Sequence, residues 1–336
     1  MSFTVRTQPS GNTFTVNADE SILDAALRQG HTFPFGCRSG ACGACKGKLI
    51  SGTTYYPDED EVSALAQIDT DAGEVILCKA VASSDAVIEV SDVPELSAIK
   101  SQRTPAKIHE INRLADDVVQ LFLKLPDDIT LDFLSGQYID IILDDGGHRS
   151  FSLANMPLNN GLLELHIRHI DGGKFTDSVF SDLKVKDLLR IEGPLGSFFL
   201  REDSDSDLIF VAGGTGFAPI KAIIEHLIAQ KSTRNIHLYW GARTRAGLYQ
   251  DALAQSWADT HDNISYSPVL SDEEDDWGGA KGFVHQQVLS DFPDLTGKSA
   301  YVCGAPAMVK TAHQDFIQKG LDEKQFFSDA FEFANK

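Results

Sequence analysis

The chain has 336 residues, a hydrophobic fraction of 42% and a net charge of −20, and this length allows two or three domains with cores of their own. Its apolar runs stay far below the ~20 residues that cross a bilayer, and residues 1–6 lack the basic and apolar pattern of a signal peptide. The net negative charge disfavours nucleic-acid binding, which usually requires clustered Lys and Arg. Together these features predict a cytoplasmic protein that binds neither nucleic acid nor membrane.

The first segment, residues 1–94, is predicted to form a small domain with one helix. The helix is expected at residues 21–29, and alternating runs at residues 3–5 and 87–90 predict strands. The segment holds six Lys and Arg against thirteen Asp and Glu, and residues 58–61 form its densest acidic run. That run fits either a docking face for a basic protein partner or a solvated loop.

A linker and two further domains are predicted to follow, at residues 95–103, 104–203 and 204–336. Residues 104–203 are rich in strand-like runs separated by Gly and Pro, which is typical of an antiparallel barrel. In the last segment an apolar strand at residues 208–212 precedes a helix at residues 219–230, as in a parallel-sheet nucleotide-binding domain. The predicted fold class is therefore multi-domain, with α+β and α/β parts.

Four of the five cysteines lie in the first quarter of the chain, at Cys37, Cys42, Cys45 and Cys78. The spacing Cys-x4-Cys-x2-Cys followed by a distant Cys is that of a plant-type [2Fe–2S] cluster, and Gly residues between the ligands would let backbone N–H groups face the sulfurs. A structural zinc site is the alternative, but such sites usually pair cysteines in two short clips and this chain has one. We therefore predict a [2Fe–2S] cluster on these thiolates.

A flavin dinucleotide needs a cation for its pyrophosphate, a flat apolar group for its ring and a hydrogen-bonding group near N5. Arg149, Phe151 and Ser152 supply these in order after a strand predicted at residues 138–143. Further on, a Gly-rich turn precedes a helix predicted at residues 177–183, and such a turn suits a phosphate. We assign to the flavin phosphates the turn Gly172-Gly173-Lys174-Phe175-Thr176.

A second Gly-rich turn joins the apolar strand at residues 208–212 to the following helix, as a pyrophosphate site requires. Its residues are Gly213-Gly214-Thr215-Gly216-Phe217. Arg243 and Arg245 follow the next predicted strand, where they are either ligands of a 2′-phosphate or solvated surface residues. No acidic residue ends that strand to bind the ribose hydroxyls.

Taken in order, these motifs resemble a plant-type ferredoxin followed by the ferredoxin–NADP reductase superfamily. The elements that carry the resemblance are Gly136-Gln137-Tyr138, Arg149-Ser150-Phe151-Ser152, Leu165-His166-Ile167-Arg168, the Gly172 turn, Gly193-Pro194-Leu195-Gly196 and the Gly213 turn. The family usually has Tyr where this chain has Phe151, which keeps the ring. The chain is most similar to reductase components of bacterial oxygenases and, at residues 134–140 and 326–331, to CDP-6-deoxy-Δ3,4-glucoseen reductases.

The resemblance implies a β-grasp fold for the first domain and roles for further residues. By this resemblance His166 and Arg168 lie along FAD, and Cys303 with Gly304 lies beside the nicotinamide. Taken without the resemblance, Cys303 is better explained as a buried core thiol. Asp329 and Phe331 match an acidic residue and an aromatic near the flavin. The expected catalytic residues are thus Ser152, Cys303, Asp329 and Phe331.

The expected function is an oxidoreductase that passes electrons from NADH through FAD and the [2Fe–2S] cluster to a protein acceptor. The resemblance implies an oxygenase or dehydrase component as that acceptor, and a monomeric reductase. NADH is favoured because related cluster-first reductases mostly use it, while Arg243 and Arg245 keep NADPH possible.

Two alternatives follow from the same sequence. One is an electron-transfer module with an inactive flavin site, which intact Arg149 and Ser152 disfavour. The other is a stand-alone flavin or ferric reductase, which would have no need of the cluster. Reduction of cytochrome c by NADH tests the first, and removal of residues 1–94 tests the second.

Overall fold

A computed structural model gives the fold of residues 1–157, 161–272 and 276–331. The chain divides into two compact units: Met1–Lys100 with Gly196–Phe198, and Ser101–Leu195 with Phe199–Lys336. Within the described ranges, no helix is both long enough and apolar enough to cross a bilayer. The domain and linker boundaries given above stay predictions.

The first unit is built on a five-stranded sheet with one α-helix packed against it. The sheet has the order β2-β1-β7-β3-β5, in which β1 and β7 are parallel and the other neighbours antiparallel. Helix α1 begins after Ser21, whose hydroxyl accepts the N–H of Asp24, and buries Ile22 and Leu23. This arrangement is the expected β-grasp. Its elements are β1 Ser2–Gln8, β2 Thr13–Asn17, α1 Ile22–Arg28, β3 Lys46–Ser51, β4 Thr54–Tyr55, β5 Glu74–Ile76, β6 Val81–Ala82 and β7 Ala86–Glu89.

The second unit begins with an antiparallel barrel of order β11-β10-β13-β8-β9-β12. A bridge between Leu153 and Leu165 joins the two ends of this sheet and so closes it. Inward-facing aliphatic residues such as Leu121, Ile139 and Ile191 fill the interior. The elements are β8 Gln102–Ala115, β9 Val118–Lys124, β10 Tyr138–Ile142, β11 His148–Ser152, β12 Leu162–Arg168, α2 Lys174–Ser181 and β13 Leu188–Leu195.

The rest of the second unit is a parallel sheet of order β17-β16-β15-β14-β18-β19. The chain starts at β14, runs outward through β15 to β17, and returns to β18 on the other side, so the strand order reverses next to β14. Its elements are β14 Leu208–Gly213, α3 Phe217–Ala229, β15 Ile236–Ala242, α4 Asp251–Thr260, β16 Ile264–Leu270, β17 Ala280–Lys281, α5 Val284–Asp291, β18 Ser299–Gly304, α6 Pro306–Gln318 and β19 Phe326–Ala330.

The predicted fold class is confirmed, and several local elements differ from their predicted positions; helix α3, for example, begins at Phe217 and not at residue 219. Strand β8 begins at Gln102, inside the predicted linker; Pro105, which normally weakens a strand assignment, pairs here with Arg190. Helix α2 begins at Lys174 rather than at residue 177, because Phe175 and Thr176 are already buried in its first turn.

Candidate functional site

The four cysteines of the predicted cluster lie in the first unit as two hydrogen-bonded thiol pairs. Cys37 pairs with Cys42, and Cys45 pairs with Cys78. The N–H of Leu77 donates to the carbonyl oxygen of Cys45 over 3.1 Å, and this bond brings the distant fourth cysteine to the loop. Within residues 1–157, 161–272 and 276–331, no three His, Cys, Asp or Glu residues are grouped as ligands of a single metal ion, so the cysteines are arranged as two pairs.

The loop backbone turns its N–H groups towards these sulfurs. The N–H of Cys37 donates to Sγ of Cys42, and the N–H of Cys42 donates to Sγ of Cys37, each over 3.4 Å. Gly40 and Gly43 have φ angles of +93° and +75°, which favour glycine. A Cβ on Gly40 would also lie 2.9 Å from the side chain of Lys79. The sequence therefore needs glycine where the loop wraps the thiols.

The electrostatics of the loop favour a thiolate at Cys37, whereas the thiol–thiol hydrogen bonds and burial raise the pKa of Cys42 and of Cys45. A hydrogen bond from the Cys42 thiol outweighs burial and lowers the pKa of Cys37 to about 4. Thiolates are the form that binds iron, and N–H donors stabilise their charge. Two thiol pairs with such donors suit two irons with two ligands each, so these residues fit a [2Fe–2S] cluster.

The flavin residues predicted in the barrel lie on β11. Phe151 packs on the barrel core, and its ring centroid lies 5.5 Å from that of Phe175 in α2. Ser152 is buried and pairs across the sheet with Tyr138. Arg149 is partly exposed and donates locally to the carbonyl oxygen of His148. A cation, a ring and a hydroxyl thus share one strand, as a flavin dinucleotide requires.

The Gly172 turn is held closed by Thr176. Its hydroxyl donates to the carbonyl oxygen of Ile170 over 3.0 Å and accepts the Ile170 N–H over 3.2 Å. A Cβ on Gly173 would lie 2.5 Å from that hydroxyl oxygen. Lys174 begins α2 and forms an ion pair with Asp145 at 2.6 Å, which lowers the pKa of Asp145. The turn leads into the N-terminus of α2, and the first N–H groups of a helix suit a phosphate.

His166 lies inside the protein rather than on an open surface. One ring nitrogen is 2.9 Å from Oε1 of Glu164, and the other is 3.0 Å from the hydroxyl of Tyr249. Burial lowers the pKa of His166 and raises that of Tyr249, so a neutral ring donates to Glu164 and accepts from Tyr249. Both ring nitrogens are thus engaged within the protein, and the role of His166 along FAD stays a prediction.

The second unit contains a cavity of about 1000 Å³ at the carboxyl ends of β14, β15, β16 and β18. Ligands of open α/β sheets bind at this place. Arg168 reaches the cavity from the barrel and forms an ion pair with Asp117. A Cβ on Gly214 would lie 3.7 Å from an Arg168 nitrogen, so the arginine faces the Gly213 turn.

The Gly213 turn joins β14 to α3 through the short helix Gly214–Gly216. Thr215 lies in this short helix. Gly213 is packed so closely that a Cβ would lie 2.8 Å from Sδ of Met308. Phe217, the last residue of this motif, is fully buried and stacks on Trp240 with ring centroids 3.8 Å apart, and its cofactor-binding role stays a prediction. Trp240 in turn donates from Nε1 to the carbonyl oxygen of Gly214 over 3.0 Å. Trp240 thus supports the turn, although it belongs to none of the motifs found in the sequence.

The predicted residues at the end of the chain come together through β18 and β19. Cys303 is paired in register with Asp329, and the Phe331 N–H donates to the carbonyl oxygen of Gly304 over 2.9 Å. Burial raises the pKa of the Cys303 thiol, and the charge of Asp329 raises it further. A protonated, fully buried thiol is unsuited to nucleophilic attack but can shape the floor of a site.

Comparison with known proteins gives a domain family for each of the three segments of the chain. Three domain models match in sequence: a 2Fe-2S iron-sulfur cluster binding domain over residues 5–83, an oxidoreductase FAD-binding domain over 105–200 and an oxidoreductase NAD-binding domain over 210–314. The chain is 44% identical over 331 residues to the CDP-6-deoxy-L-threo-D-glycero-4-hexulose-3-dehydrase reductase of Yersinia pestis, covering 98% of this chain and 99% of that protein. It belongs to this family of iron–sulfur flavoprotein reductases.

Other relatives span the same length. The reductase component of phenol 2-monooxygenase from Pseudomonas sp. (strain CF600) is 38% identical, with 98% of this chain and 95% of that protein covered. The solved structure of an Amycolatopsis cytochrome P450 reductase matches with a TM-score of 0.80 and 30% identity, over 99% of this chain and all of that one. The reductase thus uses NADH, FAD and a [2Fe–2S] cluster in electron transfer.

Gly216→Ala is expected to impair both binding and oxidation of NADH. A methyl group there would overlap the carbonyl of Cys303, and the resulting shift of α3 from β18 should cost about 1–3 kcal/mol. We expect the KM for NADH in ferricyanide reduction to rise roughly tenfold. Gly278→Ala is the control, since nothing lies within 4 Å of its added Cβ. Equal kinetics for the two variants would contradict the close packing of this turn.

Proposed function

We propose that the reductase supplies electrons to a dehydrase that acts on a CDP-6-deoxyhexulose. The observation that carries this proposal is the 44% identity, over nearly the whole of both chains, to the reductase of such a dehydrase. A second candidate acceptor is the oxygenase component of a phenol hydroxylase, which the 38% identity to its reductase supports. The higher identity favours the dehydrase.

The proposed roles of the site residues follow from their positions. The Gly213–Gly216 turn would hold the pyrophosphate of NADH, and Cys303 would support the nicotinamide end. Arg168, predicted to lie along FAD, lines the same cavity and faces Gly214, so we propose that it contacts the NADH pyrophosphate instead. FAD held on the barrel would supply the exchange between a hydride and single electrons, and a cluster on Cys37, Cys42, Cys45 and Cys78 would supply one-electron transfer to the partner. The Gly216→Ala variant also tests the role of Cys303, because the added methyl presses on the Cys303 carbonyl. A rise in KM without a fall in kcat would argue against that role.

On the barrel, β11 would hold FAD through three side chains with separate tasks. Arg149 would bind the pyrophosphate, Phe151 would contact the flavin ring and Ser152 would hydrogen-bond near N5. Their sequence on a single strand, next to the α2 N-terminus, supports this assignment. Asp329 and Phe331 are proposed to close the nicotinamide end of the site.

The acidic run at residues 58–61 is proposed as part of the surface that docks the dehydrase. Its four carboxylate residues are exposed, and the following turn is tied to the cluster loop by the Ala64 N–H, which donates to the carbonyl oxygen of Gly40 over 2.9 Å. Negative charge beside an electron-carrying loop favours encounter with a basic partner.

The reductase is further proposed to be a monomer in the cytoplasm. All five cysteines are free thiols, and a reducing compartment keeps cluster ligands in that state. Sedimentation of the purified holoprotein would check the monomer, and fractionation of cells would check the location.

Reconstitution with each candidate acceptor tests the proposal. The holoreductase and NADH should drive turnover of the CDP-sugar by the dehydrase, with no comparable coupling to the phenol hydroxylase oxygenase and phenol. Ferricyanide reduction in both mixtures shows that the reductase itself is active. In the dehydrase assay, the Glu59→Gln, Asp60→Asn double variant should have a raised KM for the dehydrase protein. Coupling to the oxygenase alone would overturn the assignment.

A further inference from the structure

Arg243 lines the end of the cavity near β15 and β16, Arg245 follows two residues later, and each of these arginines faces an aspartate. Nε and a terminal nitrogen of Arg243 both lie 3.1 Å from Oδ2 of Asp272. Arg245 lies 3.9 Å from Asp276 and its guanidinium carbon sits 5.2 Å from the ring centroid of Trp277. The sequence leaves these arginines as either phosphate ligands or solvated residues. In the structure each is near a carboxylate from the segment after β16.

This end of the cavity is where the adenosine ribose of a dinucleotide belongs. The pyrophosphate lies at the turn after the first strand of such a sheet, and the ribose extends over the end of the next strand, where an acidic residue selects NAD or an arginine accommodates the 2′-phosphate of NADP. The cavity runs from Gly214 past Ala242 and Arg243 to Asp272. The 2′ position therefore falls beside the Arg243–Asp272 pair.

Asp272 is held at this position by the backbone as well as by its partner. Its N–H donates to the carbonyl oxygen of Arg243 over 3.0 Å, and the Ser271 N–H donates to the carbonyl oxygen of Ala242 over 2.9 Å. The Ser271 hydroxyl donates to Oδ1 of Asp272 over 3.2 Å. These contacts place the carboxylate at the cavity wall, with the Asp272 side chain 41% exposed.

We propose that Asp272, two residues after the end of β16, makes this reductase select NADH over NADPH. Its carboxylate accepts the ribose hydroxyls, repels a 2′-phosphate and occupies the guanidinium that would otherwise bind that phosphate. Asp272 thus takes the role that an acidic residue at the end of β15 would have. This inference is independent of which protein accepts the electrons.

Asp272→Asn tests the proposal on the holoprotein, by calorimetric titration with NADP⁺ and NAD⁺ and by ferricyanide reduction. The substitution removes the repelling charge and frees Arg243. We expect NADP⁺ affinity to rise roughly tenfold and the KM for NADPH to fall in proportion, while NAD⁺ binding weakens or stays the same. Adding Arg243→Ala should abolish the gain.

Asp127→Asn is the matched control, because it removes the same charge from a carboxylate that is 99% exposed and does not line the cavity. It should leave the preference between the two dinucleotides unchanged. A wild-type protein that binds NADP⁺ as tightly as NAD⁺ would overturn the proposal. So would an Asp272→Asn variant whose preference matches that of the control.

Discussion

Cys78→Ala is expected to remove the [2Fe–2S] cluster and to stop electron delivery to protein acceptors. Cys78 provides half of the Cys45–Cys78 pair, and a methyl group cannot bind iron. The variant should lack iron and labile sulfide, and its rate of NADH-dependent cytochrome c reduction should fall by at least ~100-fold. Ferricyanide reduction should persist, because the flavin and nicotinamide residues belong to the other compact unit.

Cys303→Ala provides the matched control for this experiment. It removes the one cysteine outside the motif by the same substitution, and Cys303 is fully buried in the second unit. Iron and sulfide should stay at wild-type levels in that variant. Loss of the cluster from both variants, or from neither, would contradict the ligand assignment to Cys37, Cys42, Cys45 and Cys78.

The sequence predicts best those parts of the site whose residues are local in the chain. The cluster ligands Cys37, Cys42 and Cys45 lie in one loop, and the glycines between them report a backbone conformation that other residues rarely adopt. The same holds for the Gly213 turn, where a strand, a turn and a helix follow directly in sequence. Such motifs carry their geometry in a few consecutive residues.

Contacts between distant residues have no such local signal. Arg243 and Asp272 are 29 residues apart, and only the parallel register of β15 and β16 places them together. Phe217 follows the Gly-rich turn and suggests a ligand contact, yet packing directs its ring onto Trp240. The motif alone does not show this use of a large apolar side chain.

The most consequential contact of this long-range kind centres on Lys221 of α3. Its ammonium donates to Glu164 over 3.0 Å, to the carbonyl oxygen of Ala154 over 2.9 Å and to Glu225 over 3.1 Å. Both Lys221 and Glu164 are 5% exposed. Burial acts to raise the pKa of Glu164, but the hydrogen bond from His166 and the charge of Lys221 lower it to about 2. The pair ties the barrel to the nucleotide-binding sheet.

Lys221→Met should therefore destabilise the second unit by about 3–5 kcal/mol, because it leaves a charged carboxylate buried without its cation. The loss should appear in urea unfolding of the holoprotein at neutral pH. Lys310→Met is the control, since Lys310 is exposed on α6. Adding Glu164→Gln to Lys221→Met should recover part of the loss, because the unpaired charge is then gone.

The pH dependence distinguishes an unpaired charge from a simple packing defect. In the wild-type protein the depressed pKa of Glu164 adds stability above its ordinary value of 4.5, and this stability is lost as the pH falls towards 2. In Lys221→Met the same carboxyl group should have a raised pKa, so the folded variant takes up a proton and gains stability on acidification. The difference between the two proteins should therefore shrink from pH 7.5 to pH 5.5. A packing defect would leave the difference in unfolding free energy the same at both pH values. Such a result would contradict the claim that the Lys221–Glu164 ion pair holds the barrel and the parallel sheet together.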